Sequence, residues 1–364
     1  MSVFTKPSGS RAGNKRLRLG FLALTDAAPL IAAHELGLFR QRGLDVELSR
    51  EVGWATVRDK IFFGELQAAQ TPAPLLWAIQ LGLGGPQRDV LTALVLNRHG
   101  NAIVLSARLL ANGVRDADAF RLEARRRRGE NRLTLGIVHP FSVHHLLLRQ
   151  WLAAAGLDPE NDVRIVVVPP AQMFRNLAAG TLDGYCAGEP WGTVAVQSGH
   201  GWCPAVSAQL SPGHVEKVLS VTANFSREHH DEHLALVAAL ATAGAWCDDA
   251  GNHEQLITWL AGKRYLDVNS DAIRMALSGQ FDRGLGRREN ITDFHIFSRG
   301  EANVPSPADA AQLQSELVAA GLVPKELAES GLPARLFRTD LYRAAIATTA
   351  TKPAALRPAS ICLT

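Results

Sequence analysis

Strand-like and helix-like stretches alternate along the first two-thirds of the chain, and this alternation limits the possible folds more than any other feature of the sequence. Leu17-Arg18-Leu19-Gly20-Phe21-Leu22-Ala23-Leu24 is an apolar, strand-like run. Asp26 then supplies an N-cap and Pro29 an early helical proline for a helix over 27–38. A second unit follows, with a strand over 44–48 and a helix over 55–63 stopped by Gly64. The same reading places strands over 90–95, 102–105, 133–138, 164–168 and 218–222, with helices over 144–155 and 171–179. Strands separated by helices argue for mostly parallel sheets covered on both faces. Beyond about residue 230 the pattern changes, and 233–246, 254–260, 271–277 and 308–320 read as helices with little strand between them.

A chain of 364 residues is long enough for two cores. The expected architecture is therefore an α/β clamp of two lobes with a helix-rich C-terminal segment, its ligand lying at the carboxyl ends of strands that face the cleft. The lobe bounds expected are 17–105 together with 225–350, then 106–224, with flexible tails at 1–16 and 351–364. Net charge is only +3, which gives no broad field for gripping nucleic acid. The dense cluster Arg125-Arg126-Arg127-Arg128 continues a helix begun near Ala117 and reads as a solvated helix end. Lys6, Arg11, Lys15, Arg16 and Arg18 stud the N-terminus without the apolar stretch of a secretory signal, so a cytoplasmic protein is expected unless an exported precursor has been trimmed. The cysteines, Cys186, Cys203, Cys247 and Cys362, form no C-x-x-C pair and read as reduced, mostly buried thiols.

Four places could carry chemistry. Trp54 enters a helix and offers a flat wall with one N–H donor. His144 falls in the first turn of a helix, where backbone N–H groups and the helix dipole favour an anion, and its imidazole is expected to gain a proton when one binds. In Asp183-Gly184-Tyr185-Cys186-Ala187-Gly188-Glu189-Pro190-Trp191 a short strand ends at Gly188, which lets backbone approach a ligand closely, and Pro190 suits the first turn of the next helix. Cys186 reads as a packed thiol, because no base lies near it in sequence. Lys217 comes immediately before a strand and could meet an anion as a point charge. His229, His230 and His233 read as a solvated helical face in preference to a metal site. No zinc, phosphate-loop or nucleophile-elbow motif is present, so neither catalysis nor a cofactor is expected.

Taken together these strings resemble the nitrate-binding and bicarbonate-binding proteins of ABC importers, within the type II periplasmic-binding-protein class. The likeness is carried by Leu19-Gly20-Phe21, Leu24-Thr25-Asp26, Ala28-Pro29, Val46-Glu47-Leu48-Ser49-Arg50-Glu51, Trp54, Arg58-Asp59-Lys60, Phe63-Gly64-Glu65-Leu66, Leu81-Gly82-Leu83-Gly84-Gly85, Trp151-Leu152-Ala153-Ala154-Ala155-Gly156 and Gly188-Glu189-Pro190-Trp191. The resemblance implies an anion pocket of Trp54, Asn101, His144, the backbone of Gly188, and Lys217. Asn101 stands where the family has a glutamine, and Phe141-Ser142-Val143 replaces a glycine-rich approach to the histidine. Lys217 favours nitrate over bicarbonate, since the bicarbonate relatives use acidic residues and calcium in this region, although Glu216 stands beside it. Lacking a visible export signal, the chain is most similar to the cytoplasmic NasS-type nitrate/nitrite sensors. That resemblance implies a partner, an ANTAR-type (NasT-like) RNA-binding antiterminator released when the anion binds. An importer's binding subunit is the alternative, and a thiamine-pyrimidine-synthase-like enzyme a more distant one.

Overall fold

The computed structural model describes residues 16–127 and 129–350. Of the expected tails at 1–16 and 351–364, all but Arg16 lies outside them, as do Arg128 and Cys362.

Ten strands succeed one another before the helical C-terminal third: β1 (Leu17–Phe21), β2 (Val46–Arg50), β3 (Ala68–Pro72), β4 (Val90–His99), β5 (Asn101–Ser106), β6 (Leu133–Ile137), β7 (Val163–Val167), β8 (Gly184–Gly188), β9 (Gly201–Val206) and β10 (Val215–Thr222). A short ribbon, β11 (Gln280–Asp282) with β12 (Arg288–Asn290), and the edge strand β13 (His295–Ile296) follow. They form two main sheets, ordered β13-β4-β10-β3-β1-β2 and β7-β6-β8-β5-β9. In each, a parallel trio (β2-β1-β3 and β7-β6-β8) is extended by antiparallel strands. These are the two lobes of a type II periplasmic-binding-protein clamp.

The sequence dictates this layering through burial. Leu17, Leu19 and Phe21 of β1 are all buried, and so are Leu133, Leu135 and Ile137 of β6. The helix Ala28–Glu35 packs against His230–Asp248, whose residues are buried on nearly every side, so the C-terminal third returns to cover the first sheet. Gly20 allows close packing in β1, since a Cβ there would lie 2.6 Å from Leu66 Cδ1.

Several expectations shift in detail. The first helix is not continuous over 27–38: a 3-10 turn at Thr25–Ala27 precedes Ala28–Glu35, and Gly37, with φ 69°, separates it from Leu38–Gln41. Asp26 lies inside that turn with its side chain buried and caps no helix. The sheets also divide the chain differently from the expected bounds. β5 (Asn101–Ser106) pairs in the second sheet and β10 (Val215–Thr222) in the first, because their hydrogen-bond partners are β8 and β9 in one case and β3 and β4 in the other. The chain thus crosses between lobes at Gly100 and again over 207–214. Gly100 has φ 93°, and a Cβ on it would meet His295 Cε1 at 2.1 Å. Only glycine suits such a position.

Among the described residues no helix is long and apolar enough to cross a membrane. Arg126 and Arg127 both pair with Glu123 at the end of the helix Ala117–Arg126. His233 does not lie on a solvated face: it is buried, with Nδ1 2.9 Å from Ser226 Oγ.

Candidate functional site

β3 and β10 are buried along their whole length, yet β3 carries Gln70 and Thr71, and β10 carries Glu216, Lys217 and Ser220. Polar groups inside a doubly covered sheet must find partners or a use. Lys217 is therefore the place to begin. It does not precede the strand but lies within β10, fully buried. The register against β4 shifts on both sides of it. Neighbouring side chains that a regular strand would send to opposite faces here meet.

The Lys217 ammonium bonds two carboxylates, Glu216 Oε1 at 2.5 Å and Asp26 Oδ2 at 2.8 Å, and lies 5.6 Å from the centre of the Trp54 ring. Burial alone would strip its proton, but Asp26 and Glu216 outweigh that and raise its pKa. Glu216 Oε2 accepts from Asn101 Nδ2 at 2.5 Å, and its two oxygens also face His144 Nδ1 at 3.7 Å and His214 Nε2 at 3.5 Å. Burial would push the Glu216 carboxyl up, yet Lys217 and these imidazoles hold it well below the ordinary carboxylate range. Asp26 differs. Its Oδ1 accepts from Gln70 Nε2, whose own Oε1 is fixed by Leu22 N at 3.2 Å, and burial raises its pKa in spite of Lys217. The two acids diverge because Glu216 gathers more donors.

All five residues expected at the site come together. Trp54 opens the helix Trp54–Phe63 and is 1 % exposed. Asn101 starts β5, with its backbone N–H donating to Ser207 Oγ, and pairs in register with Gly188 at the end of β8. A Cβ on Gly188 would stand 3.4 Å from both Asp26 Oδ2 and Leu24 Cδ2 and 3.5 Å from Asn101 Oδ1, so its bare backbone leaves room for about one carbon atom beside those oxygens. His144 lies in the first turn of Val143–Ala154, whose N-cap, Ser142, accepts from His145 N. Burial depresses the His144 pKa to about 3, leaving the ring neutral. Trp54 Nε1, Asn101 Oδ1 and both ring nitrogens of His144 are buried without a hydrogen-bond partner. Such a set of unsatisfied donors and acceptors around one cation suits a small, polar, planar guest.

Sequence reading overlooked Asp26, Gln70 and His214 as members of this cluster. Gln70 gave no signal, because the short run Ala68-Ala69-Gln70-Thr71-Pro72 lacks the branched apolar residues that announce a buried strand. Asp26 looked like a cap because Asp before a helix ordinarily is one. Pro190 precedes the helix Trp191–Gln197 as its N-cap residue instead of entering its first turn. Cys186 is buried, and burial raises its thiol pKa well above the ordinary value.

Comparison with known proteins adds three findings. A model of the NMT1-like family matches residues 10–261. Among curated proteins, the bicarbonate transport ATP-binding protein CmpC of Synechocystis is 38% identical over 85% of this chain and 46% of that protein, and the nitrate/nitrite binding protein NrtA of Synechococcus elongatus is 32% identical over 93% of this chain and 80% of that protein. This chain spans about half the length of the ATP-binding relatives it matches. Among solved structures, the periplasmic nitrate-binding protein NrtA from Synechocystis superposes with a TM-score of 0.88 at 27% identity, covering 93% of this chain and 90% of that one.

Proposed function

This chain belongs to the NMT1-like family, and from that premise we propose that it binds nitrate or nitrite in the buried cluster around Lys217 and does no chemistry on it. The observation that carries the reading is that Trp54, Asn101, His144 and Gly188, drawn from both lobes, gather around the fully buried Lys217 ammonium and its carboxylate partners Asp26 and Glu216. A monovalent planar oxyanion is costly to desolvate, so it needs a few aimed donors and a balancing charge. Lys217 supplies the charge, Trp54 Nε1 and a neutral His144 N–H supply donors, and Gly188 admits the guest to bare backbone. The relatives named for nitrate and nitrite support this ligand class, and those named for bicarbonate make that anion the necessary competitor. Calorimetric titration with nitrate, nitrite, bicarbonate and sulfate tests it. Saturable binding of nitrate or nitrite at one site is the expected result, and binding of bicarbonate or sulfate alone would overturn the assignment.

On the fuller form of this reading the protein is a cytoplasmic sensor. Its empty form holds an ANTAR-type (NasT-like) RNA-binding antiterminator, and the anion releases it. A ligand can shift such an equilibrium only by binding one state more tightly, and the coupling is reciprocal. The anion should therefore dissociate the complex, and the antiterminator should weaken anion affinity by the same factor. Size-exclusion chromatography of the two proteins with and without the anion tests this. A complex indifferent to both anions would remove the sensing mechanism. Relatives named as transport ATP-binding proteins favour a second reading, the binding component of an importer. Failure of any complex to form with the antiterminator would point there.

A further inference from the structure

Building on the anion reading above, we propose that Asp26 contacts the bound anion directly and that the anion is taken up together with one proton, held on Asp26 Oδ2. Two buried carboxylates, Asp26 and Glu216, share the single ammonium of Lys217, and none of the three is more than 1 % exposed. Adding a monovalent anion would set three negative charges against one positive charge in a space closed to solvent, where uncompensated charge is most costly. One added proton restores the balance that existed before binding.

Geometry then selects its place. The groups facing the cluster are Glu216 and Lys217 on β10, Asp26 in its 3-10 turn, Gln70 on β3, His144 at the start of Val143–Ala154, His214 just before β10 and His295 on β13. Glu216 already bonds Lys217 and Asn101, one through each oxygen, and is held strongly ionised. Burial drives both His144 and His295 down to about 3. His214 faces Glu216. Asp26 Oδ1 is engaged as an acceptor of Gln70, whereas Oδ2 has only Lys217 and looks onto the space that the bare Gly188 backbone and Asn101 Oδ1 share. As the free carboxylate, Asp26 competes with the guest for Lys217. Protonated, it releases the ammonium and presents an O–H donor to the guest instead. Its raised pKa accords with this role.

Calorimetry with nitrate and nitrite in phosphate and in Tris at one pH reads proton uptake directly, because the two buffers differ in ionisation enthalpy. Wild-type protein should take up close to one proton per anion. Its affinity should weaken as pH rises, approaching about tenfold per pH unit where uptake is complete. Asp26→Asn keeps an acceptor for Gln70 and a donor toward the guest, so it should bind with uptake near zero and a flat pH profile. In parallel, the side-chain carboxyl 13C resonance of Asp26 in wild-type protein should move toward the protonated position on adding the anion, a readout that needs no variant. Binding without proton uptake, uptake that survives Asp26→Asn, or an unmoved resonance would overturn the proposal while leaving the anion site standing. Absence of binding by both anions would overturn the anion reading and this proposal with it.

Discussion

At Lys217 one side chain carries the electrostatics of the site, and removing it exposes how tightly the cluster is balanced. Lys217→Met keeps the stem but leaves Asp26 and Glu216 facing each other without a cation. Loss of one partner from a buried charge pair costs at least about 2 kcal/mol in binding, roughly thirtyfold. Nitrate or nitrite affinity should fall by that much or more, and the melting temperature should fall too, more steeply at pH 8 than at pH 5, where protons can replace the lost charge. Unchanged affinity in a folded variant would remove Lys217 from the site. Glu189 makes a separate prediction. Burial raises its pKa from 4.5 to about 7, against the opposing hydrogen bond from Thr193 N. Between those values the folded protein binds more protons than the unfolded chain, so stability falls as pH rises across that window. The full loss is on the order of 3 kcal/mol. Glu189→Gln should remove this slope and be more stable than wild type at pH 8, which urea unfolding at pH 5 and pH 8 measures.

At the scale of elements, the alternation of strand and helix was legible because burial imposes it directly: β1, β2, β6, β7 and the long C-terminal helices fall close to where apolar periodicity placed them. β3 and β9 were not. β3 reads Ala-Ala-Gln-Thr-Pro, short and without the branched apolar residues that announce a strand, since its role is to hold Gln70 and Thr71 inside. The start of β10 was set too late for the same reason, as Glu216 and Lys217 look like loop residues unless something buried requires them. Trp54, His144, Gly188 and Lys217 stood out as residues, Asn101 came with the family resemblance, and the five lie together in the structure. Their carboxylate partner Asp26 lies in another element, 191 positions from Lys217, and no spacing rule reaches that far. The crossing at Gly100 is testable at this scale. Gly100→Ala would combine a left-handed backbone with a clash against the buried His295 ring. A cost of ~1–3 kcal/mol from the backbone alone is expected, with more from the ring. Thermal denaturation should show a clear drop, and a melting temperature equal to wild type would mean that the crossing adapts freely.

For the whole molecule, the two lobes are tied directly by segments that follow β1 and β8: Thr25 N donates to Glu189 O at 2.7 Å, and Trp191 Nε1 to Ala23 O at 3.1 Å. The charged cluster lies along the same seam, with Asp26, Gln70, Glu216 and Lys217 from the first lobe and Asn101, His144 and Gly188 from the second. On the proposed reading, an anion seated there would touch both lobes at once and so could bias a change of shape that a partner reads. A crystal structure of the protein grown with saturating nitrate or nitrite tests the central claim most directly. The account predicts one planar anion between Asn101 and Gly188, within hydrogen-bond reach of Lys217 Nζ and Trp54 Nε1. An anion bound only elsewhere, with the Lys217 cluster unchanged, would contradict it.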